Sequence, residues 1–247
     1  MQQTNEKILI NFSNKRIKGA PMKSRLINPL GSRIPFLLLL AALFAPLNIA
    51  PANTLGNTLG EDTLTAIEKL YTHNGFSADF NQISKLAALE ITETASGKAW
   101  FNHPEKMRWL YLSPQRHEII TNGQTLWIDR PDQEQVMRGD AQKFFKSGAG
   151  GAFLADIGRM RKNFTMEVKE TTDTHISLLL TAKQENPDLV TLLIRVSRTT
   201  HEIQQVTTQN TYGDTTSFEF THIQFKPMEP AIFEFKIPEG YSIIEME

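Results

Sequence analysis

From Phe76 onward, apolar side chains recur at every second position along most of this 247-residue chain. "FSADFNQ" puts Phe76, Ala78 and Phe80 on one face; "SGKAWFN" does the same for Ala99 and Phe101, and "KMRWLYL" for Met107, Trp109 and Tyr111. A period of two marks a half-buried strand, because successive side chains point to opposite faces. "EIITNGQTLWI" reads as two strands joined at Asn122-Gly123, residues that readily take the positive φ of a tight hairpin. Strand-like runs return in "FTMEVKE", "HISLLLTAK", "LVTLLIRVS", "EIQQVTTQN", "TTSFEFTHIQF" and "IFEFKIP".

Two stretches have a different period. Leu64, Ile67, Leu70 and Tyr71 follow helical spacing, from a cap at Asp62 to a stop at Asn74-Gly75. Residues 139–164 carry Phe144, Phe145, Phe153, Leu154 and Ile157 in short helical pieces around the glycine-rich joint at 148–151. Short connections and the lack of β-α-β alternation point to an antiparallel meander and exclude a doubly wound architecture. A single large sheet must cover its apolar face, and only the first helix and the 139–164 insertion are available to do so. The expected object is a curled sheet under a thin helical lid, with an interior that its own side chains need not fill.

The first 52 residues change the charge balance. They hold seven Lys/Arg and one acid, then "IPFLLLLAALFAPLNIA" and Ala50-Pro51-Ala52, the pattern of a secretory signal peptide. Met22 would give a leader of ordinary length. Removing those residues from the chain's 26 basic and 27 acidic side chains leaves 19 against 26, a net charge near −7. That balance argues against nucleic-acid binding. "NTLGNTLG" (53–60) reads as a flexible arm ahead of one domain over 61–247. The absence of cysteine excludes disulfides, thiol catalysis and lipidation of the chain itself on cysteine.

No pattern of catalytic chemistry emerges. "GAGG" lacks the Lys-Ser/Thr of a phosphate loop. None of the six histidines pairs at i,i+3 or i,i+4 with another, so no metal site is expected. There is no G-x-S-x-G elbow. A non-enzyme without metal or cofactor is the expectation.

In order, "GFSADFNQ", "SGKAWFNHPEKMRWLY", "IITNGQTLWI", "GAGGAFLADI" and "FEFKIPEGYSII" resemble the LolA-type periplasmic carriers of lipoproteins. The resemblance implies an incomplete antiparallel β-barrel closed by two to three helices. It also implies a periplasmic monomer that takes lipoproteins by their acyl chains from the inner to the outer membrane. Its implied partners are a lipoprotein-releasing ABC transporter in the inner membrane and a lipoprotein receptor in the outer one. On this reading Phe76, Ala78, Phe80, Ala99, Phe101, Met107, Trp109 and Tyr111 form the acyl-chain wall. Leu64, Ile67, Leu70, Phe153, Leu154 and Ile157 form the lid. In the family the residue before the turn proline is typically an arginine that holds the lid; here it is His103, expected to donate its one neutral N–H to a lid carbonyl. A carrier or sensor of other envelope lipids on the same fold is the alternative, and an enzyme acting on envelope lipid or sugar a second.

Overall fold

The computed structural model describes residues 53–147 and 154–246. The expected leader, with Met22, lies outside the described residues, as do the glycine joint 148–151 and Phe153. Helix α1 (Asn53–His73) leads into β1 (Phe76–Leu86), β2 (Ile91–Asn102), β3 (Lys106–Ser113), β4 (His117–Thr121), β5 (Thr125–Arg130) and β6 (Gln135–Asp140). Helices α2 (Ala141–Ser147) and α3 (Met160–Asn163) follow, then β7 (Phe164–Thr171), β8 (His175–Ala182), β9 (Thr191–Ser197) and β10 (Ile203–Gln209). The chain ends with β11 (Thr215–Phe225) and β12 (Ser242–Glu245).

These strands form one open sheet in the order β12-β6-β5-β4-β3-β2-β1-β11-β10-β9-β8-β7. It is the incomplete barrel expected above, mostly β with few helices. Neighbours run antiparallel, except that β12 lies parallel to β6. One long-range pairing organises the molecule: β1 joins β11, with Phe80 opposite Phe220, and so fuses two meanders. As a result β6 and β7, consecutive in the chain, sit far apart in the sheet, β7 at one edge and β6 next to the other, which is β12. Of the segment that joins them, the described residues Leu154, Ala155, Ile157 and Met160 pack into the core of the sheet.

Two expectations are corrected. Residues 53–60 are not an arm; they are the opening turns of α1, and Asp62 lies inside the helix instead of capping it. Packing on β7 accounts for this. A Cβ on Gly60 would stand 3.0 Å from Met166 Cε and 3.1 Å from Val168 Cγ2, so the bare glycine allows close approach. That contact overrides a helix penalty of about 1 kcal/mol for glycine.

The run "IFEFKIP" is not a strand. Its start lies in a single 3₁₀ turn (Pro230–Phe233), and the nearby Pro227, Pro230 and Pro238 offer no N–H to a ladder. The segment packs on the outer face of the β3–β5 region instead: Phe233 and Met228 are buried, and Phe235 lies 6.2 Å from Trp127 between ring centres. Arg108 Nη1 donates to the Ile232 carbonyl at 3.1 Å and fixes this strap. The strap explains why Ile120 on the outer face is as buried as Ile119 on the inner one.

Candidate functional site

The eight residues expected to form a wall are brought together on the concave face, each between 0 and 6 % exposed. Strand alternation does the sorting. On β3, Met107, Trp109 and Tyr111 face inward, while Arg108 faces outward to Glu118, with Nε–Oε2 at 2.7 Å. Gly97 lets the strands close: a Cβ there would lie 2.0 Å from the Leu110 carbonyl oxygen and 3.0 Å from the Phe80 ring.

The rings interlock. Phe76 stacks on Phe101 at 4.5 Å, and Phe80 meets Trp109 edge-on at 4.8 Å and Tyr111 at 5.0 Å. Among the described residues these rings pack directly on one another in the interior, where the sequence pattern had left it free to be empty. Cavities of about 280 and 170 Å³ lie on the outer face, beside Asp79, Lys98 and His222 in one case and Glu170, His175 and Arg195 in the other.

Sequence reasoning missed half of this surface. Phe218 lies 4.9 Å from Trp109, and Phe220 stacks beside Phe218 at 6.3 Å. Leu178, Leu180, Leu192, Ile194 and Val206 extend the apolar face across β8 to β10. The alternation in "SFEF" and "LLIRV" was the available signal; the β1–β11 pairing that joins these strands to the wall carries no local signature. Tyr71 on α1 also belongs here. Its ring meets Phe76 at 4.9 Å, and its hydroxyl accepts the Ile203 N–H at 2.8 Å. Burial holds the phenols of Tyr71 and Tyr111 far above their usual range.

Of the expected lid residues, Leu64, Ile67, Leu154 and Ile157 are buried in the same core as the wall, and Leu70 packs against it partly exposed. Ala155 and Met160 join them. Asp140 starts α2, its Oδ1 accepting the Gln142 N–H at 2.6 Å and the Lys143 N–H at 3.3 Å.

Among the described residues, two polar junctions fasten the expected lid. At the first, the β2–β3 turn meets residues 155–159. Among the described residues His103 does not reach a lid carbonyl; its Nδ1 faces the Asp156 carboxylate at 3.8 Å. The lid carbonyl that is held is that of Ala155, which accepts the Glu105 backbone N–H at 2.9 Å. Glu105 takes φ +59°, and the turn aims its N–H at the lid in place of an imidazole. Its carboxylate pairs with Arg159 at 2.6 Å and accepts from Gln142 Nε2 on α2. Arg159 also pairs with Asp156 at 2.5 Å. Burial pushes the Asp156 carboxyl up, with Arg159 and His103 opposing and Glu105 reinforcing the shift.

The second fastening is Arg161 on α3, reaching α1. Its Nε donates to both Glu68 carboxylate oxygens at 2.9 Å and Nη2 to Thr65 Oγ1 at 2.6 Å, and it also pairs with Glu61. Among the described residues no cluster of three or more His, Cys, Asp or Glu could hold a metal, and no helix is long and apolar enough to cross a membrane.

The sequence profile of the family described as outer membrane lipoprotein carrier protein LolA matches residues 71–236. An outer-membrane lipoprotein carrier protein of Cupriavidus pinatubonensis is 29 % identical over 159 residues, covering 64 % of this chain and 74 % of that protein. One of Coxiella burnetii is 22 % identical over 186 residues, covering 74 % and 87 % respectively. The crystal structure of an uncharacterized conserved protein from Thermus thermophilus covers 75 % of this chain and 98 % of its own, with a TM-score of 0.51 at 7 % identity, a likeness of fold alone.

Proposed function

The chain belongs to the LolA family of outer membrane lipoprotein carrier proteins, and from that premise we propose that it shields the acyl chains of lipoproteins and moves them from the inner to the outer membrane. The observation that carries this reading is a wide apolar concave face covered by thin elements fastened through ion pairs at their rim. An exposed acyl chain costs about 0.8 kcal/mol per CH₂, so a triacyl anchor cannot cross water unshielded. A carrier needs an apolar interior that is hidden when empty. Here the aromatic side chains fill that interior until cargo displaces the lid. The role requires binding and release, not turnover.

The finer parts of the proposal rest on family membership and on the charge pattern of residues 1–52. The protein works in the periplasm after a leader ending at Ala52 is removed. It receives cargo from an inner-membrane ABC transporter and passes it to an outer-membrane receptor.

The direct test adds the purified exported chain to inner-membrane vesicles carrying a newly made lipoprotein, with ATP. The expected result is a soluble complex of one carrier with one lipoprotein. Lipoprotein that stays in the membrane pellet at every carrier concentration, with the carrier folded, would refute the reading.

A further inference from the structure

One polar atom in the apolar interior has no partner among the described residues. Trp109 is 1 % exposed, sits in the middle of the concave face and leaves its indole Nε1–H without a hydrogen-bond acceptor. A buried unmatched donor is costly, and most such groups in folded proteins are satisfied. The nearest rings, Phe80, Phe101 and Phe218, lack a carbonyl or carboxylate oxygen to accept it.

The surroundings of this donor are graded along the strands. Toward the β2–β3 turn the face is mainly apolar, with Phe76, Phe101 and Met107, and the polar atoms beside them are already engaged: Thr121 Oγ1 accepts the Gly123 N–H and the Tyr71 hydroxyl accepts the Ile203 N–H. In the other direction it becomes polar. Tyr111 donates its hydroxyl to Gln82 Oε1 at 2.9 Å, Gln82 Nε2 donates to Ser84 Oγ at 2.9 Å, and Ser84 Oγ lies 3.4 Å from Thr216 Oγ1. That polar row is satisfied within itself. Trp109 sits at the boundary, one inward-facing position before Tyr111, and its donor is spare.

An acylated cargo has the same gradient. Its hydrocarbon ends at an ester or amide carbonyl, a strong acceptor, and the polar peptide lies beyond. Resting on the carrier reading, we infer that Trp109 Nε1–H is the binding site for the carbonyl oxygen of the cargo's acyl linkage, with the chain running toward Phe76 and Phe101 and the polar part toward Gln82. Trp109 then does two things: its ring is wall, and its N–H sets how deep the acyl group goes. The spare donor of the empty state becomes a contact made only with cargo, so it confers preference for carbonyl-linked lipid over plain hydrocarbon.

The test compares two synthetic peptides: one carries an ester-linked diacylglyceryl group on cysteine, the other the matching dialkyl ether. Each is titrated into the full exported chain and into Trp109→Phe. The parent should favour the ester by about threefold to tenfold, the range of one net hydrogen bond. Trp109→Phe, which also removes part of the wall, should weaken both peptides together and no longer distinguish the two. Replacing Trp109 by 3-benzothienylalanine, which exchanges N–H for sulfur at nearly constant shape, should give the same loss even if the phenylalanine variant folds poorly. Equal binding of both peptides by the parent, or a preference that survives either replacement, would overturn the inference. If neither peptide binds the folded parent, the carrier reading itself fails with it.

Discussion

Asp129 and Glu118 sit opposite each other on β5 and β4, both carboxylates nearly buried on the outer face. Arg108 and Arg116 lie against Glu118, whereas Asp129 Oδ1 has no hydrogen-bond partner among the described residues. Burial, reinforced by Glu118, raises the Asp129 carboxyl above its usual range. An acid whose folded pKa is raised binds more protons folded than unfolded between the two pKa values, so stability falls as pH rises through that window. The penalty is present in full above the folded pKa and absent below the unfolded one, near 3.8. Asp129→Asn should therefore stabilise the protein by about 1 kcal/mol at pH 7, a rise of roughly 2–4 °C in Tm, with the gain shrinking toward pH 4. Thermal melts of both proteins across that range check it; a gain independent of pH would place the effect elsewhere. The same scale explains why one histidine was a poor guide to the lid. Its role is shared among a backbone N–H at Glu105, the Glu105 carboxylate and Arg159.

Helix α1 shows how an element is held by both of its faces. Leu64, Ile67 and Tyr71 bury inward, and Glu61, Thr65 and Glu68 present a row one helical turn apart to Arg161. Arg161 is the main ionic tie between α1 and the insertion, but it is partly solvated, and screening limits each of its pairs. Arg161→Ala should cost about 1 kcal/mol, or roughly 2–4 °C in Tm, and should speed hydrogen exchange in α1 more than in β1. Hydrogen-exchange mass spectrometry separates the outcomes: uniform acceleration across the sheet would mean that Arg161 supports the whole fold and not this junction.

For the whole molecule, the closed interior makes movement a condition of function. The aromatic wall shares one core with Leu154 and Ile157, and the proposed uptake of cargo therefore requires the insertion to swing away from the β2–β3 turn. The chain contains no cysteine, so one engineered pair can test this cleanly. Glu105 and Ala155 already share a backbone hydrogen bond of 2.9 Å, and Glu105→Cys with Ala155→Cys places two thiols across the junction. Oxidised, the double variant should fail to take up a hydrophobic dye or a lipopeptide, and reduction should restore uptake. Uptake unaffected by oxidation, with the disulfide confirmed by mass, would show that the opening lies elsewhere.

The period of two by itself determined which side chains face inward. Trp109 is inside and Arg108 outside because neighbours on a strand point opposite ways, a property of local backbone geometry. The same local rule marked the helical stretches as the covers. What the sequence did not disclose depends on contacts between distant residues. The β1–β11 pairing recruits Phe218 and Phe220 to the wall, Gly60 is favoured in its helix only against Met166 and Val168, and the proline-rich strap finds its position on the outer face of β3. The fastening of the lid is the clearest case. Glu105 and Arg159 lie more than fifty residues apart, and nothing in the pattern around either names the other. Periodicity reports the direction of a side chain from its own backbone; the partner it meets there is decided by the path of the rest of the chain, and that path exists only once the sheet has curled.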